Sequence, residues 1–128
     1  MPDGSYRTGC EWRRLESPLV ELDPALDAYA SRHGLTVTRS YHGWPLRALT
    51  WGGAIRRSVQ ISLANEHDLR LNISAVAWQH DGSRRHWRNQ VIRSSALVSQ
   101  LQDRFAAILD SAVQRANSWS HRDLSLVT

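Results

Sequence analysis

The chain contains no lysine, and all sixteen of its basic residues are arginines. Arginine presents a planar, permanently charged fork that grips carboxylates and phosphates at two points and stacks on aromatic rings, whereas lysine offers a mobile point charge. The absence of lysine marks either a protein built around arginine contacts or a genome in which arginine codons displace lysine codons. The second interpretation is favoured for the chain as a whole, so the position of the arginines is more informative than their number.

Cysteine and long apolar runs are scarce as well. Cys10 is the only cysteine, so an internal disulfide is excluded and a reducing, cytoplasmic location is expected. The apolar runs are only a few residues long, which is too short to span a bilayer. Residues 1–10 also lack the apolar core of a secretory signal, so no membrane partner is expected.

The sequence shows no pattern typical of a cofactor or a metal site. His67, His80 and His86 lack the close paired spacing of zinc ligands, and there is no second cysteine to join them. The pair Gly52-Gly53 indicates a turn and not a phosphate-binding loop, because no helix is predicted to follow it. We therefore expect neither a cofactor nor a metal.

The overall composition is typical of a globular protein. The 128 residues are 41% apolar and 22% charged, which suits one domain, and the chain is too short for two independent cores. The patterns along the chain divide it into an irregular N-terminal tail over residues 1–22, a single domain over 23–119 and a C-terminal tail over 120–128.

The first clear element is a short helix over residues 24–33. Asp23 is a good N-cap, Pro24 suits the first helical position, and Gly34 fits the left-handed conformation that commonly follows a helix. These signals predict where the helix begins and where it ends.

Five segments after this helix alternate polar and apolar residues, which predicts strands over residues 35–41, 46–51, 55–63, 69–78 and 85–92. The links between them are short and rich in turn formers, so neighbouring strands must be antiparallel. Apolar residues then recur at helical spacing over residues 97–116, which predicts a long closing helix. The predicted fold is α+β: a five-stranded antiparallel meander with both helices on one face, in the order α-β-β-β-β-β-α.

The register of the last hairpin decides which residues face the core. A two-residue turn at Asp81-Gly82 would direct Arg84, His86 and Arg88 towards it, and buried charges without partners are strongly unfavourable. A three-residue loop over residues 81–83 avoids this burial and lets Trp87 fill the core. The three-residue loop is therefore predicted.

This register predicts a basic and aromatic patch on the uncovered face of the sheet. Residues 55–92 carry six arginines against three acidic residues, and an antiparallel sheet tolerates one face in contact with water. The candidate binding residues on that face are Arg56, Arg70, Trp78, Arg84, His86 and Arg88.

Two kinds of binding partner suit such a patch. Tryptophan and arginine are enriched at protein-binding hot spots, so the face could bind an unknown protein or pair with a second copy as a homodimer. Adaptors, chaperones and immunity proteins offer an analogy at the level of fold alone. The same face suits RNA or single-stranded DNA, because bases stack on aromatic rings while guanidinium groups hold phosphates.

The catalytic candidates are His80 and His86, which flank the predicted hairpin together with Arg84. Two histidines and an arginine could cleave a phosphodiester without a metal, as a base, an acid and a charge stabiliser. Histidines on an exposed hairpin are more often ordinary polar surface, however. The sequence therefore favours a non-catalytic interaction module, with nucleic-acid binding and metal-independent ribonuclease activity as the alternatives.

Overall fold

The computed structural model describes residues 9–40, 45–65 and 67–127. They form helix α1 (Gly9–His33), strands β1 (Thr36–Ser40), β2 (Leu46–Gly52), β3 (Arg56–Asn65), β4 (Arg70–Asp81) and β5 (Arg84–Ala96), helices α2 (Val98–Leu101) and α3 (Phe105–Ser118), a 3₁₀ turn (His121–Asp123) and strand β6 (Ser125–Val127). The predicted α+β class, with a helix, an antiparallel sheet and C-terminal helices packed on the sheet, is confirmed.

The described strands form one antiparallel sheet in which each strand lies next to its neighbour in sequence. Short turns impose this order from β1 to β5, whereas α2, α3 and the 3₁₀ turn lie between β5 and β6. Gly52, at the end of β2, has a φ of +104°, a conformation that glycine adopts without strain. A Cβ atom at this position would also collide with the backbone oxygen of Ile55, so the turn into β3 requires glycine.

One face of the sheet packs against the helices, and we call it the covered face. Its buried residues on the strands include Leu49, Val59, Ile61, Leu63, Leu71 and Ile73, and they pack on Leu15, Leu19, Leu22, Leu26, Leu101, Phe105, Leu109 and Ala112 of the helices. Burying one such large aliphatic or aromatic side chain stabilises a fold by about 1.5–3 kcal/mol. The core therefore lies in a single layer between the sheet and the helices.

Helix α1 is much longer than the short helix predicted over residues 24–33. It begins at Gly9 and continues through Pro18 and Pro24, so residues 9–22 are not an irregular tail. Four buried leucines at helical spacing form one stripe across both prolines: Leu15, Leu19, Leu22 and Leu26. Their burial outweighs the cost of about 3 kcal/mol that each interior proline imposes on a helix.

The end of α1 follows the prediction. Gly34 has a φ of +68°, and the backbone N–H of Leu35 donates to the carbonyl of Ala30 at 2.9 Å. This is the hydrogen bond that closes a helix when glycine takes the left-handed conformation.

Asp23, predicted as an N-cap, instead lies inside α1 and anchors the helix to the sheet. Its carboxylate oxygens accept hydrogen bonds from Nε and Nη2 of Arg47, at 2.9 and 3.2 Å. Arg47 lies on the covered face of β2 and is only 1% exposed. A guanidinium buried this deeply needs a bidentate carboxylate, because an unpaired charge away from water is strongly unfavourable.

A second polar contact joins the two long helices. The hydroxyl of Tyr29 in α1 donates to Oδ1 of Asp110 in α3, at 2.6 Å. Burial and this hydrogen bond raise the pKa of Tyr29. The hydroxyl therefore keeps its proton, and the link between the helices persists, throughout the neutral range.

The C-terminal part of the chain differs from the prediction in two ways. The single helix predicted over residues 97–116 is divided into α2 and α3 by a turn over residues 102–104. Residues 120–128, predicted as a tail, include the 3₁₀ turn and β6, which pairs with β5. Trp119 and Leu124 are buried against two alanines of β4 and therefore extend the covering layer beyond α3.

The predicted register of the last hairpin is wrong. Asp81 pairs directly with Arg84 across a two-residue turn, where the prediction had a three-residue loop. Every side chain along this part of β5 therefore faces the opposite way. His86 and Arg88 lie on the covered-face side together with Arg84, and Trp87 points outwards.

The charges on β5 escape burial because the helical layer stops short of the hairpin. α3 ends at Ser118, and Arg84 and Arg88 remain exposed. The guanidinium carbon of Arg88 lies 5.5 Å from the centre of the Trp119 ring, a cation–π contact. The desolvation cost that argued against this register does not arise at this end of the sheet.

Candidate interaction surface on the open sheet face

The sheet face that points away from the core carries small, polar and aromatic side chains, which alternate along each strand with those of the covered face. We call it the outer face. Its members on β2 to β5 include Thr50, Arg56, Ser58, Gln60, Ser62, Asn72, Ser74, Val76, Trp78, Arg85, Trp87, Asn89 and Val91. None of these positions carries an acidic residue.

Two tryptophans lie side by side on the outer face. Trp78 of β4 pairs directly with Trp87 of β5, and both side chains are half-buried. They line a groove of about 280 Å³ together with Gln60, Val76, Arg85 and Asn89. This tryptophan groove combines two indole rings with two amides and a guanidinium, so it can both bury apolar surface and form hydrogen bonds.

The structure brings together only part of the predicted binding set. Arg56 and Trp78 are opposite each other on β3 and β4, on the outer face as predicted. Arg84, His86 and Arg88 lie on the other side of the sheet, because the hairpin register is shifted by one residue. The predicted patch is therefore divided between the two faces.

Arg70 lies at the start of β4, at the opposite end of the strand from Trp78. Its Nε donates to Oδ2 of Asp68 at 2.8 Å, and its Nη1 donates to the backbone oxygen of Ser95 at 2.8 Å. The bond to Ser95 ties the start of β4 to the end of β5, and the bond to Asp68 holds the turn before β4. The side chain thus has a structural role far from the tryptophan groove.

The predicted register of β5 placed Arg85, Trp87 and Asn89 away from the outer face, so none of them was a predicted groove residue. A signal was present in the turn. Gly82 has a φ of +65°, as at the first position of a type II′ turn, and glycine followed by serine is typical of two-residue hairpins. Treating Gly82-Ser83 as the whole turn would have placed both tryptophans on one face.

One polar atom on the outer face has no partner among the described residues. Ser58 lies opposite Thr50 on one neighbouring strand and Val76 on the other, and it is only 1% exposed. Its Oγ makes no hydrogen bond within the described part of the chain. Buried hydroxyls are normally paired, so this atom costs stability where it lies.

The two histidines considered for catalysis do not share a face. His80 pairs with Arg85 and points outwards, whereas His86 lies on the covered-face side. The ring of His86 lies 5.6 Å from the ring of His121, and Nδ1 of His121 lies 2.5 Å from Oε1 of Gln79. A mechanism that needs His80 and His86 on the same substrate is therefore not supported by this geometry.

Metal binding and membrane crossing each require a particular arrangement of residues. In the parts of the chain that the structure describes, no three side chains of His, Cys, Asp or Glu come together as a set of ligands. Over the same residues, no helix is both long enough and apolar enough to cross a membrane.

These features place the protein in the α+β class, with helices on one sheet face and an arginine- and tryptophan-bearing face opposite. Comparisons with protein-family models, with curated proteins and with solved structures gave no match. The function is therefore inferred from the outer face itself.

Proposed function

We propose that this protein is a non-catalytic, cytoplasmic interaction module that binds a protein partner through the tryptophan groove. The observation that carries the proposal is the cross-strand pair of Trp78 and Trp87 on an open sheet face. Tryptophan and arginine are the residue types most enriched at hot spots, where a few side chains provide most of the binding energy. The groove has both types, with Arg85 beside the indoles.

The composition of the outer face favours a protein over a nucleic acid. The register moves Arg84 and Arg88 off this face and brings Trp87, Asn89 and Val91 onto it. The face is therefore less basic and more apolar than the sequence predicted. Single-stranded nucleic acids bind to grooves whose positive charge follows the backbone, whereas protein interfaces have an apolar, aromatic centre with a polar rim.

The charges also indicate the chemistry of the partner. Arg56 and Arg85 lie on the outer face, and none of its members carries an acidic residue. A surface with carboxylates around an apolar centre would complement this pattern and would gain association rate and specificity. A second copy fits less well, because a twofold interface would bring the same arginines together without an acidic residue between them.

The test begins with three immobilised proteins: the wild type, the double variant Trp78→Ser/Trp87→Ser, and the control Val20→Ser. Val20 is 52% exposed on α1, so its substitution removes exposed apolar surface away from the groove. Native lysate is applied with and without nuclease. A specific partner is retained by the wild type and the control, is lost from the double variant, and is unaffected by nuclease.

The partner found in this way is then purified, and its Kd is measured by calorimetry. Each single tryptophan variant should weaken binding by about 2 kcal/mol, roughly thirtyfold. Equal Kd values for the wild type and the double variant would contradict the proposal. Retention that is lost after nuclease treatment would instead favour the nucleic-acid alternative. A wild-type dimer that becomes a monomer in the double variant would show that a second copy of the chain binds the groove.

A further inference from the structure

The edge of the sheet at β5 is covered for only part of its length. β5 extends over Arg84–Ala96, but β6 pairs only with Arg85, His86 and Trp87. Among the described residues, no strand pairs with the far side of β5 beyond Trp87. Alternate N–H and C=O groups therefore point outwards there, which is the arrangement that an added strand can use.

A groove runs beside this free edge, on the covered-face side. It has a volume of about 470 Å³ and is lined by Gln90, Val91 and Ile92 of β5 and by Ser111, Gln114, Arg115 and Ser118 of α3. The side chain of Val91 lies on the outer face of this edge and is 51% exposed, which is unusual for a large aliphatic residue. The edge and the groove together form a channel with free backbone groups on one side and side chains on the other.

Helix α3 forms one wall of the groove, and its side chains determine which polar contacts a ligand could make there. The hydroxyls of Ser111 and Ser118 donate to backbone oxygens of α3, at 3.2 and 2.7 Å, so their protons are already used. Charge in the groove comes from Arg115, and none of its lining residues is acidic. The polar contacts open to a ligand are therefore those of a cation, two glutamine amides and the acceptor lone pairs of the two hydroxyls.

The pairing of β4 with β5 shows where a ligand could add as a regular strand. Pairing is regular from Arg88 to Val91 and is interrupted after Val91, so that Ile92 has no direct partner on β4. Such a bulge can change the direction of a side chain, and Ile92 lines the groove. We call residues 88–92 the edge segment.

We infer that the edge segment and its groove bind an extended, acidic segment of a partner protein by strand addition. Backbone pairing with β5 would provide affinity, and alternate side chains of the ligand would enter the groove. The edge segment contains no acidic residue, Arg93 follows it, and Arg115 lines the groove. An antiparallel second copy would place the same arginines against each other, so the charges favour a foreign acidic strand.

This site is separate from the tryptophan groove, and its test does not depend on the proposed function. The probe is a fluorescein-labelled, end-capped peptide of alternating valine and glutamate, about six residues long so that it spans the edge segment. One comparison peptide has lysine in place of glutamate. A second is N-methylated at its central amides, which removes the donors that strand pairing requires.

Fluorescence anisotropy should detect binding of the glutamate peptide, and binding of both comparison peptides should be at least about tenfold weaker because charge and backbone pairing are each required. Arg115→Glu should weaken binding by about tenfold for the same electrostatic reason. Arg104→Glu makes the same charge change at the other end of α3, about 16 Å away along the helix axis, and should leave the Kd unchanged. Trp78→Ser/Trp87→Ser should also bind normally, which separates this site from the first.

Three results would overturn the inference. Equal binding of the N-methylated peptide would exclude strand addition. No binding of the glutamate peptide at concentrations up to about 1 mM would exclude a useful site. Light scattering could show a concentration-dependent dimer that is absent in Val91→Asp. That result would mean that the edge binds a second copy of the chain.

Discussion

The two faces of the sheet are built from the same strands but differ in how deeply their side chains are buried. On β3 and β4 the covered face presents Val59, Ile61 and Ile73, which are fully buried beneath the helices. The outer face presents Gln60 and Trp78, which are half-buried. Since strand residues alternate between faces, each strand contributes to the core and to the open surface at once. Substitutions on the two faces should therefore affect different properties of the protein.

The arginines of the two faces differ in the same way. Arg47 on the covered face is buried and held by both oxygens of Asp23. Arg56 on the outer face is exposed and donates to the backbone oxygen of Gly52 at 2.7 Å. A buried cation must be paired, but an exposed one can give up a backbone bond to meet a partner. The same residue type thus supports stability on one face and remains available for binding on the other.

The largest expected difference in the free energy of unfolding is between the alanine variants of two tryptophans. Trp119 is 4% exposed and packs on the covered face against Ala75 and Ala77, so Trp119→Ala should lower the free energy of unfolding by about 3–5 kcal/mol. Trp87 is half-buried on the outer face. Trp87→Ala should lower the free energy of unfolding by about 1 kcal/mol, because removing a half-buried ring leaves little enclosed cavity. Urea denaturation measures both, and similar costs would remove the distinction between the faces.

The second prediction compares two ion pairs of α1. Asp23→Ala removes the bidentate carboxylate that Arg47 binds and also an ion pair to Arg39 at 3.5 Å. It should cost about 3 kcal/mol, as expected when one partner of a buried pair is removed. Asp27 accepts a hydrogen bond from Arg39 at 2.6 Å, but their side chains are 53% and 30% exposed. Asp27→Ala should therefore cost less than about 1 kcal/mol.

Both of these substitutions replace a helical aspartate by alanine, so helix propensity changes equally in the two variants. Denaturant titrations at neutral pH give the two values. A cost for Asp23→Ala as small as that for Asp27→Ala would mean that Arg47 does not depend on the carboxylate, and that the anchor between α1 and the sheet lies elsewhere.

The sequence predicted the part of the sheet where the two faces differ clearly. On β3 and β4, Val59, Ile61, Leu71 and Ile73 alternate with polar residues, so one register alone buries the apolar set. The end of α1 was predictable for a similar reason, because Gly34 is a local signal that tertiary contacts do not override.

The sequence could not predict the parts where local signals conflict with tertiary packing. Residues 84–91 carry arginines on both faces, so hydrophobicity does not select a register and the turn alone decides it. The prolines of α1 suggested a break that leucine burial overrides. The tryptophan groove was missed for the first of these reasons, since its members meet only through the register of β5.

A smaller effect is expected at Ser58, on the outer face. Ser58→Ala removes a buried hydroxyl that has no partner in the described residues. It should therefore leave stability unchanged or raise it by up to about 1 kcal/mol, because deleting an unpaired polar group removes its desolvation cost. Thermal unfolding measures the change. A clear loss of stability would show that the hydroxyl is satisfied after all, and that the outer face is better packed than its composition suggests.

The smallest effect concerns the end of the covered face, where the 3₁₀ turn continues the layer beyond α3. Oδ2 of Asp123 accepts hydrogen bonds from the backbone N–H and the hydroxyl of Ser120, at 2.8 and 3.1 Å. These bonds, together with the nearby Arg88, lower the pKa of Asp123 below its ordinary value of 3.8. A lowered pKa stabilises the folded turn at pH values above the ordinary one, and the contribution is lost as the pH falls through the folded-state pKa.

Acid should therefore loosen the turn while the core beneath the helices stays folded. In NMR spectra, the Ser120 amide should shift with a midpoint below pH 3.8, and Ser120→Ala should move the Asp123 midpoint upwards because it removes the hydroxyl donor. An unchanged midpoint in Ser120→Ala would mean that the backbone bond alone lowers the pKa. Simultaneous loss of the core signals would mean that the turn and the helical layer unfold as one unit, and that the covered face has no weaker end.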